Sequence, residues 1–186
     1  MRKTIAALSG LAVVALIVGL AAAGELKSGP QIGERVPGPF HPLNCTGEYA
    51  GQKYCLYCKN GQNPVAMIFA RQTSPELTSL IKKIDEATAK NQDHRMGSFV
   101  VFLSDSDKLE SELKALAKKE KLQHCVLSID NPAGPEGYHI AKDADVTVVL
   151  YTKGVVKANH AFKKGELKDK DIDRIVADLS KILPEK

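Results

Sequence analysis

Three of the four cysteines in this 186-residue chain lie close together, at positions 45, 55 and 58. Cys55 and Cys58 form a C-x-x-C motif, a spacing typical of a redox dithiol that cycles between two thiols and a disulfide. Lys53 and Lys59 flank the pair and would favour a thiolate. The sequence therefore predicts thiol–disulfide exchange or redox sensing through Cys55 and Cys58, with Cys45 as a candidate resolving thiol.

Two other interpretations of the cysteines remain open. Four cysteines in an oxidising compartment could pair as structural disulfides, in one of three connectivities, and the chain would then be a non-catalytic binding or structural module. Alternatively, Cys55 and Cys58 could form a knuckle for zinc or copper(I), completed by Cys45 and either His41 or Cys125. The exchange hypothesis needs no metal and no cofactor, and its partner would be a protein thiol or disulfide of unknown identity.

The N-terminus has the layout of a secretory signal peptide. Arg2 and Lys3 precede an uncharged, mostly apolar stretch that closes on three alanines. Residues 1–23 are therefore predicted to be a signal peptide, or an N-terminal membrane anchor if the long apolar run is not cleaved. Either outcome exports the rest of the chain, so the protein is expected to be periplasmic or secreted, where disulfides persist.

The exported part of the chain is nearly neutral. Removing Arg2 and Lys3 from the 26 basic residues leaves 24, against 22 acidic residues. This balance gives no argument for nucleic acid or an anionic membrane surface as a partner. The roughly 160 remaining residues are enough for one domain with a sizeable core.

The elements that would position the cysteines begin after a Gly- and Pro-rich linker at residues 24–39. Two short strands, at 40–45 and 53–58, are predicted to pair as an N-terminal β-hairpin. An apolar run at 64–70 predicts a strand buried on both faces. Further strands are predicted at 98–103, 124–129, 146–151 and 155–162, and helices at 74–90, 106–120 and 169–182. This alternation predicts an α/β domain over residues 40–186, with a central mixed sheet flanked by helices.

The order of these elements and several junctions resemble the exported thioredoxin-like proteins of the TlpA and peroxiredoxin-like (redoxin) group. Residues 33–40 are similar to the group's G-x-x-A-P-x-F motif, 63–70 to its K-P-V-V-L-x-F-W-A strand, and 145–150 to its V-P-T-x-x-L strand. The Thr46-Gly47-Glu48 turn and the strand at 126–130 add to the match. The resemblance covers about residues 33 to 183 and implies a thioredoxin-like fold.

The departures from that group fall on the positions that carry its chemistry. Thr73 and Glu76 stand where the group has the two cysteines of its active-site motif. Val146 stands where it has a cis-proline, and a cis bond before a non-proline residue costs about 2.5–4 kcal/mol, so a trans bond is expected. The C-x-x-C of this chain instead precedes the first buried strand. The resemblance therefore implies the fold without transferring the group's catalysis to residues 73–76.

Other polar residues have simpler interpretations. Arg71 lies near the usual active-site position, where a guanidinium could bind an anion or orient a carboxylate, although a surface ion pair is the simpler hypothesis. His94, His139 and His160 are isolated in sequence. They are predicted to be hydrogen-bonded or solvated rather than ligands or bases.

Overall fold

A computed structural model describes residues 26–184 of the chain. The predicted signal peptide or anchor at residues 1–23 lies outside this range. Within the described range, no helix combines the length and the apolar character needed to cross a membrane.

A six-stranded mixed sheet forms the centre of residues 26–184. The strands are β1 (Leu43–Asn44), β2 (Val65–Ala70), β3 (Gly97–Leu103), β4 (Cys125–Asp130), β5 (Val146–Thr152) and β6 (Val155–Phe162). The helices are α1 (Leu56–Asn60), α2 (Pro75–Lys90), α3 (Leu109–Glu120) and α4 (Asp169–Asp178), with 3₁₀ turns at Gln92–His94 and Leu179–Lys181. The strand order is β1-β4-β3-β2-β5-β6, with β2, β3 and β4 parallel and the other pairings antiparallel. The predicted mixed sheet flanked by helices is confirmed.

Strand β2 lies in the middle of the sheet because both of its faces are apolar. All six of its residues are buried. Ala66 and Ile68 belong to the core cluster that also contains the buried residues of α2, α3 and α4, whereas Met67 and Phe69 belong to the cluster on the opposite face. Burial on both faces is the outcome that the uninterrupted apolar run predicted.

Helix α2 begins where the sequence places its start. The Ser74 side-chain oxygen accepts the backbone N–H of Leu77 at 3.1 Å, and Pro75 occupies the first helical position. Its apolar stripe, which includes Ile81 and Ile84, is buried against the sheet.

The other face of the sheet is covered partly by the chain that precedes β1. Ser28 and Val36 are buried, and the Ser28 hydroxyl lies 2.7 Å from the Thr147 hydroxyl. The backbone N–H of Val36 donates to the carbonyl of Gly154 at 3.0 Å. From Ser28 onward, the segment predicted as a linker at 24–39 is therefore packed on the domain rather than a free tether.

The predicted N-terminal hairpin is present but shorter than expected. Backbone hydrogen bonds join 42–44 to 51–54, and β1 itself pairs with β4. Beyond this point the predicted strand 53–58 is wrong, because the chain turns into α1. Two residues three apart on a strand are separated by about 10 Å, whereas the disulfide-bonded Cys55 and Cys58 have Cα atoms 5.2 Å apart. A bridge at this spacing is thus incompatible with an extended strand.

A largely buried histidine, His160, gives the stability of the fold a pH dependence. The His160 Nε2 lies 3.0 Å from a carboxylate oxygen of Asp178, and the two side chains are only 10% and 17% exposed. Burial lowers the pKa of His160, with Arg174 and Lys181 acting in the same direction and Asp178 opposing them. The folded protein therefore holds a neutral imidazole that donates Nε2–H to Asp178.

Because the unfolded chain takes up this proton more readily, we expect stability to fall as the pH drops below about 6.5, with a slope of at most about 1.4 kcal/mol per pH unit for this one group. Urea unfolding at pH 7.5 and pH 5 should show a smaller pH effect in His160→Gln than in the wild type. The exposed His94→Gln variant serves as the control. An unchanged slope in His160→Gln would contradict the assignment.

Candidate functional site

Cys55 and Cys58 are joined by a disulfide at the start of α1. The separation of their Cα atoms, 5.2 Å, lies within the range that a disulfide requires. The two residues differ in exposure, since Cys55 is 4% exposed and Cys58 is exposed to solvent. One half of the bridge is therefore in the core and the other half faces the surface.

Local hydrogen bonds hold α1 in place, although five residues are too few for a helix to be stable alone. Cys55 is the N-cap residue, and its Sγ accepts the backbone N–H of Cys58 at 3.0 Å. The Asn60 side-chain amide donates to the carbonyl of Leu56 at 2.8 Å. Gly61 ends the helix with a φ of 56°, and its N–H donates to the carbonyl of Tyr57.

A glycine at the start of β3 allows α1 to approach the sheet. A Cβ atom at Gly97 would lie 1.9 Å from the side-chain oxygen of Asn60. The absence of a side chain at position 97 therefore leaves room for Asn60, which in turn bonds to the backbone of α1.

A stacked pair of tyrosines and an ion pair lie beside α1. The Tyr49 and Tyr54 rings stack with centroids 3.5 Å apart. Lys59 bonds to a carboxylate oxygen of Glu48 at 2.9 Å and lies 5.2 Å from the centre of the Tyr49 ring. The hydrogen bond from Lys59 lowers the pKa of Glu48, so the pair is charged at neutral pH. Because Glu48 offsets its charge, Lys59 gives less support to a thiolate than the sequence indicated.

The sequence predicts only a turn between the two short strands, at residues 46–52, and does not predict these contacts. The available signal was the presence of Tyr49 and Tyr54 at the two ends of a short turn-forming stretch. That signal does not reveal that the rings stack, because stacking depends on how the turn closes.

Cys45 is not part of this disulfide and lies in the core. It is unpaired and 1% exposed, and it belongs to the cluster that contains Leu113 and Leu127 beneath the helices. Leu56, next to Cys55, belongs to the cluster on the opposite face of the sheet. Burial raises the pKa of Cys45 to about 11, so its thiol is protonated at neutral pH. These observations argue against Cys45 as the resolving thiol.

Cys125 is the second unpaired and buried cysteine, and burial raises its pKa to about 12. The alternative metal knuckle would need Cys55 and Cys58 together with Cys45 and either His41 or Cys125. Between residues 26 and 184, the structure brings together no group of three or more His, Cys, Asp or Glu side chains that could hold a metal ion.

The usual dithiol position of such a fold is occupied by other residues here. Residues 73–76 lie at the N-terminus of α2, where Ser74 forms the cap. They follow the C-terminal end of β2, whereas α1 precedes its N-terminal end, so the two places are separated by a strand length of about 20 Å. Residues 26–184 contain no cis peptide bond, and the bond before Val146 is trans as predicted.

Arg71 holds a loop rather than a carboxylate. Its guanidinium donates to three backbone carbonyls, those of Pro132 at 2.9 Å, Ala144 at 3.0 Å and Ala141 at 3.2 Å. All three lie in the connection between β4 and β5. This forked contact uses the planar geometry that distinguishes arginine from lysine. The surface ion pair suggested by the sequence is not the interaction that the structure shows.

No family model matches the chain, and no curated protein matches it by sequence. Solved structures do match. A provisionally assigned protein disulfide isomerase of Bacteroides thetaiotaomicron is 16% identical with a TM-score of 0.64, covering 86% of this chain and 96% of that one. A secreted Mycobacterium tuberculosis disulfide oxidoreductase homologous to Escherichia coli DsbE is 9% identical with a TM-score of 0.52, covering 76% and 94%. The reduced 2-Cys peroxiredoxin of Plasmodium vivax is 16% identical with a TM-score of 0.59, covering 80% and 81%.

These similarities define the class of fold. The domain is thioredoxin-like, and its structural neighbours are redoxins of the disulfide-oxidoreductase and peroxiredoxin types. At such low sequence identity the comparison concerns the fold alone.

Proposed function

We propose that this protein is an exported thiol–disulfide exchange protein that acts through Cys55 and Cys58. The observation that carries the proposal is a C-x-x-C disulfide with one cysteine at the surface, held on a thioredoxin-like domain. Exchange requires a thiolate to reach a sulfur of the bridge, and Cys58 offers such access. The partner is a protein thiol or disulfide, by analogy with neighbours that are described as disulfide oxidoreductases.

Export is part of the same proposal. The first 23 residues have the pattern of a signal peptide or anchor. A disulfide persists in the periplasm or outside the cell, and one of the structural neighbours is a secreted protein. A periplasmic or secreted location would place the Cys55–Cys58 pair among thiols that are being oxidised.

A structural role for the bridge is the second candidate function. It is favoured by the burial of Cys55 and by the replacement of the usual dithiol with Thr73 and Glu76. In that case the domain would be a non-catalytic binding or structural module, and the bridge would only hold α1 against the core.

Equilibration with glutathione distinguishes the two candidates. Under the exchange hypothesis the pair should equilibrate at a potential above about −300 mV, since resistant structural disulfides lie below that value. Free thiols would be counted by mass spectrometry after acid quenching and alkylation. A bridge that stays intact in millimolar dithiol would support the structural role and contradict exchange.

Variants test the assignment of residues. Replacing both Cys55 and Cys58 with serine should abolish any insulin reduction or isomerase activity, because no exchangeable sulfur would remain accessible. Thr73→Ala is the matched control at the usual dithiol position and should leave the activity unchanged. Activity that survives the double substitution, or that is lost in Thr73→Ala, would contradict the proposed site.

A further inference from the structure

The two halves of the Cys55–Cys58 bridge are not equivalent to an approaching thiol. Cys55 is 4% exposed and its neighbour Leu56 is 2% exposed, whereas Cys58 is exposed. An exchange reaction begins when a thiolate attacks one sulfur of the bridge and the other sulfur leaves. The exposed residue is the accessible target, so the incoming thiolate meets Cys58 first.

The hydrogen bonding of the bridge fits the same direction of attack. The Sγ of Cys55 accepts the backbone N–H of Cys58 at 3.0 Å. A hydrogen bond to a sulfur favours its charged form, and a thiol that ionises easily is the better leaving group. Attack at Cys58 therefore releases negative charge on the sulfur that already has a donor.

We propose, on the basis of the exchange function above, that Cys58 is the sulfur attacked by substrate and that Cys55 is the buried leaving and resolving thiol. The first cysteine of the motif is thus the protected one and the second is the reactive one. The substrate class is a protein dithiol at a surface, since two thiols must supply the two electrons that reduce the bridge and the first of them must reach the exposed Cys58.

The reaction balances without any other oxidant. A substrate thiolate bonds to Cys58 Sγ, the Cys55–Cys58 bond breaks, and Cys55 leaves as a thiolate that takes up a proton. The second thiol of the substrate then loses its proton, and the resulting thiolate attacks the substrate sulfur of the mixed disulfide. This attack releases Cys58 as a thiolate, which takes up a proton in turn. The substrate dithiol loses two electrons and becomes a disulfide, while the protein disulfide gains them and becomes two thiols.

Return of the Cys55 thiolate to Cys58 Sγ reverses the first step and frees a substrate that lacks a second thiol. Cys45 has no part in this scheme, because it is buried in the cluster beneath the helices, on the face of the sheet opposite to that of Leu56. The scheme therefore requires only the two cysteines of the motif.

Trapping on the wild-type protein tests the order directly. The oxidised full chain is mixed briefly with a single-thiol probe, reduced glutathione, then quenched with acid, and the adduct is located by peptide mass. The expected adduct is on Cys58. An adduct on Cys55 would overturn the proposed order while leaving exchange at the site intact, and a bridge that reacts with no thiol would overturn both this order and the exchange function.

Single-cysteine variants give an independent measurement. Cys55→Ser leaves the exposed Cys58 thiol and keeps an oxygen that can accept the same N–H, whereas Cys58→Ser leaves only the buried Cys55 thiol. With iodoacetamide under native conditions, Cys55→Ser should be alkylated at least about tenfold faster than Cys58→Ser, with the label on Cys58. Equal rates, or a faster Cys58→Ser variant, would overturn the proposal.

Two controls accompany these rates. In guanidinium chloride both variants should react at similar rates, because unfolding removes the difference in exposure. Circular dichroism and thermal unfolding establish that the two variants are equally folded. If either variant does not fold, the trapping result on the wild-type chain decides alone.

Discussion

Replacing Asp85 with alanine is expected to lower the free energy of unfolding by about 3 kcal/mol, because it leaves the buried backbone N–H of Cys125 and two partly buried N–H groups beside it without their acceptor. Asp85 lies on the buried side of α2 and is 8% exposed. One of its carboxylate oxygens accepts the backbone N–H groups of Gln123 at 3.1 Å, His124 at 2.7 Å and Cys125 at 2.7 Å. The carboxylate thus joins the middle of α2 to the start of β4.

Urea unfolding of Asp85→Ala, measured against two other variants, checks this expectation. Asp85→Asn keeps an oxygen acceptor without the charge, so it should lose about half as much stability, since hydrogen bonds to charged groups are the stronger ones. Glu86→Ala removes an exposed carboxylate from the next position of the same helix and should change stability by less than about 0.5 kcal/mol. Equal losses in Asp85→Ala and Glu86→Ala would show that the three hydrogen bonds contribute little.

Arg71→Ala is expected to lower the free energy of unfolding by about 2 kcal/mol, because the loop before β5 loses three charge-assisted hydrogen bonds that water can only partly replace. Arg71→Lys should recover less than half of this loss, since an ammonium on a flexible stem cannot reproduce the forked contact. In Arg71→Ala, the amide hydrogen exchange of residues 131–145 should be faster than in the wild type, and the increase should be larger there than in the rest of the domain. Arg174→Ala, which removes an exposed arginine paired with Asp171, is the matched control and should cost at most about 1 kcal/mol.

The Arg71 variants also separate structure from function at the usual active-site position. If Arg71 only holds the loop, exchange at Cys55 and Cys58 should be unchanged in the folded Arg71→Ala protein. Loss of exchange with normal stability would instead place Arg71 in the reaction and contradict the structural role derived from its three carbonyl contacts.

The proposed exchange site and the usual dithiol position of the fold lie at opposite ends of β2. A thiol at the N-terminus of α2 would lie after β2, where Thr73 now stands. The Cys55–Cys58 bridge lies before β2, next to the face that carries Leu56 rather than the face beneath the helices. A substrate would therefore approach this protein from another side than it would approach a dithiol at α2.

The sequence by itself determined the features that depend on neighbours along the chain. The apolar run of β2 requires burial on both faces, and Ser74 followed by Pro75 starts α2, because capping and periodicity involve residues at most a few positions apart. The C-x-x-C spacing likewise brings Cys55 and Cys58 within reach of a disulfide, and residues 73–76 lack the two cysteines of the usual dithiol. The strand predicted at 53–58 is wrong for a reason that also involves near neighbours, because a disulfide between Cys55 and Cys58 requires a turn and not a strand.

Only the tertiary structure decided which of these residues face solvent and what they contact. Asp85 bonds to residues 38 to 40 positions away, and Arg71 to residues 61 to 73 positions away. Helix and strand periodicity relates only residues a few positions apart, so it cannot predict these contacts. Cys45 and Cys55 look equivalent in the sequence, yet Cys45 belongs to the cluster beneath the helices, whereas Leu56, the residue after Cys55, belongs to the cluster on the opposite face of the sheet. The exposure of Cys58 beside the buried Cys55 follows from how α1 packs on the core, and packing depends on side chains that the fold brings together from distant parts of the chain.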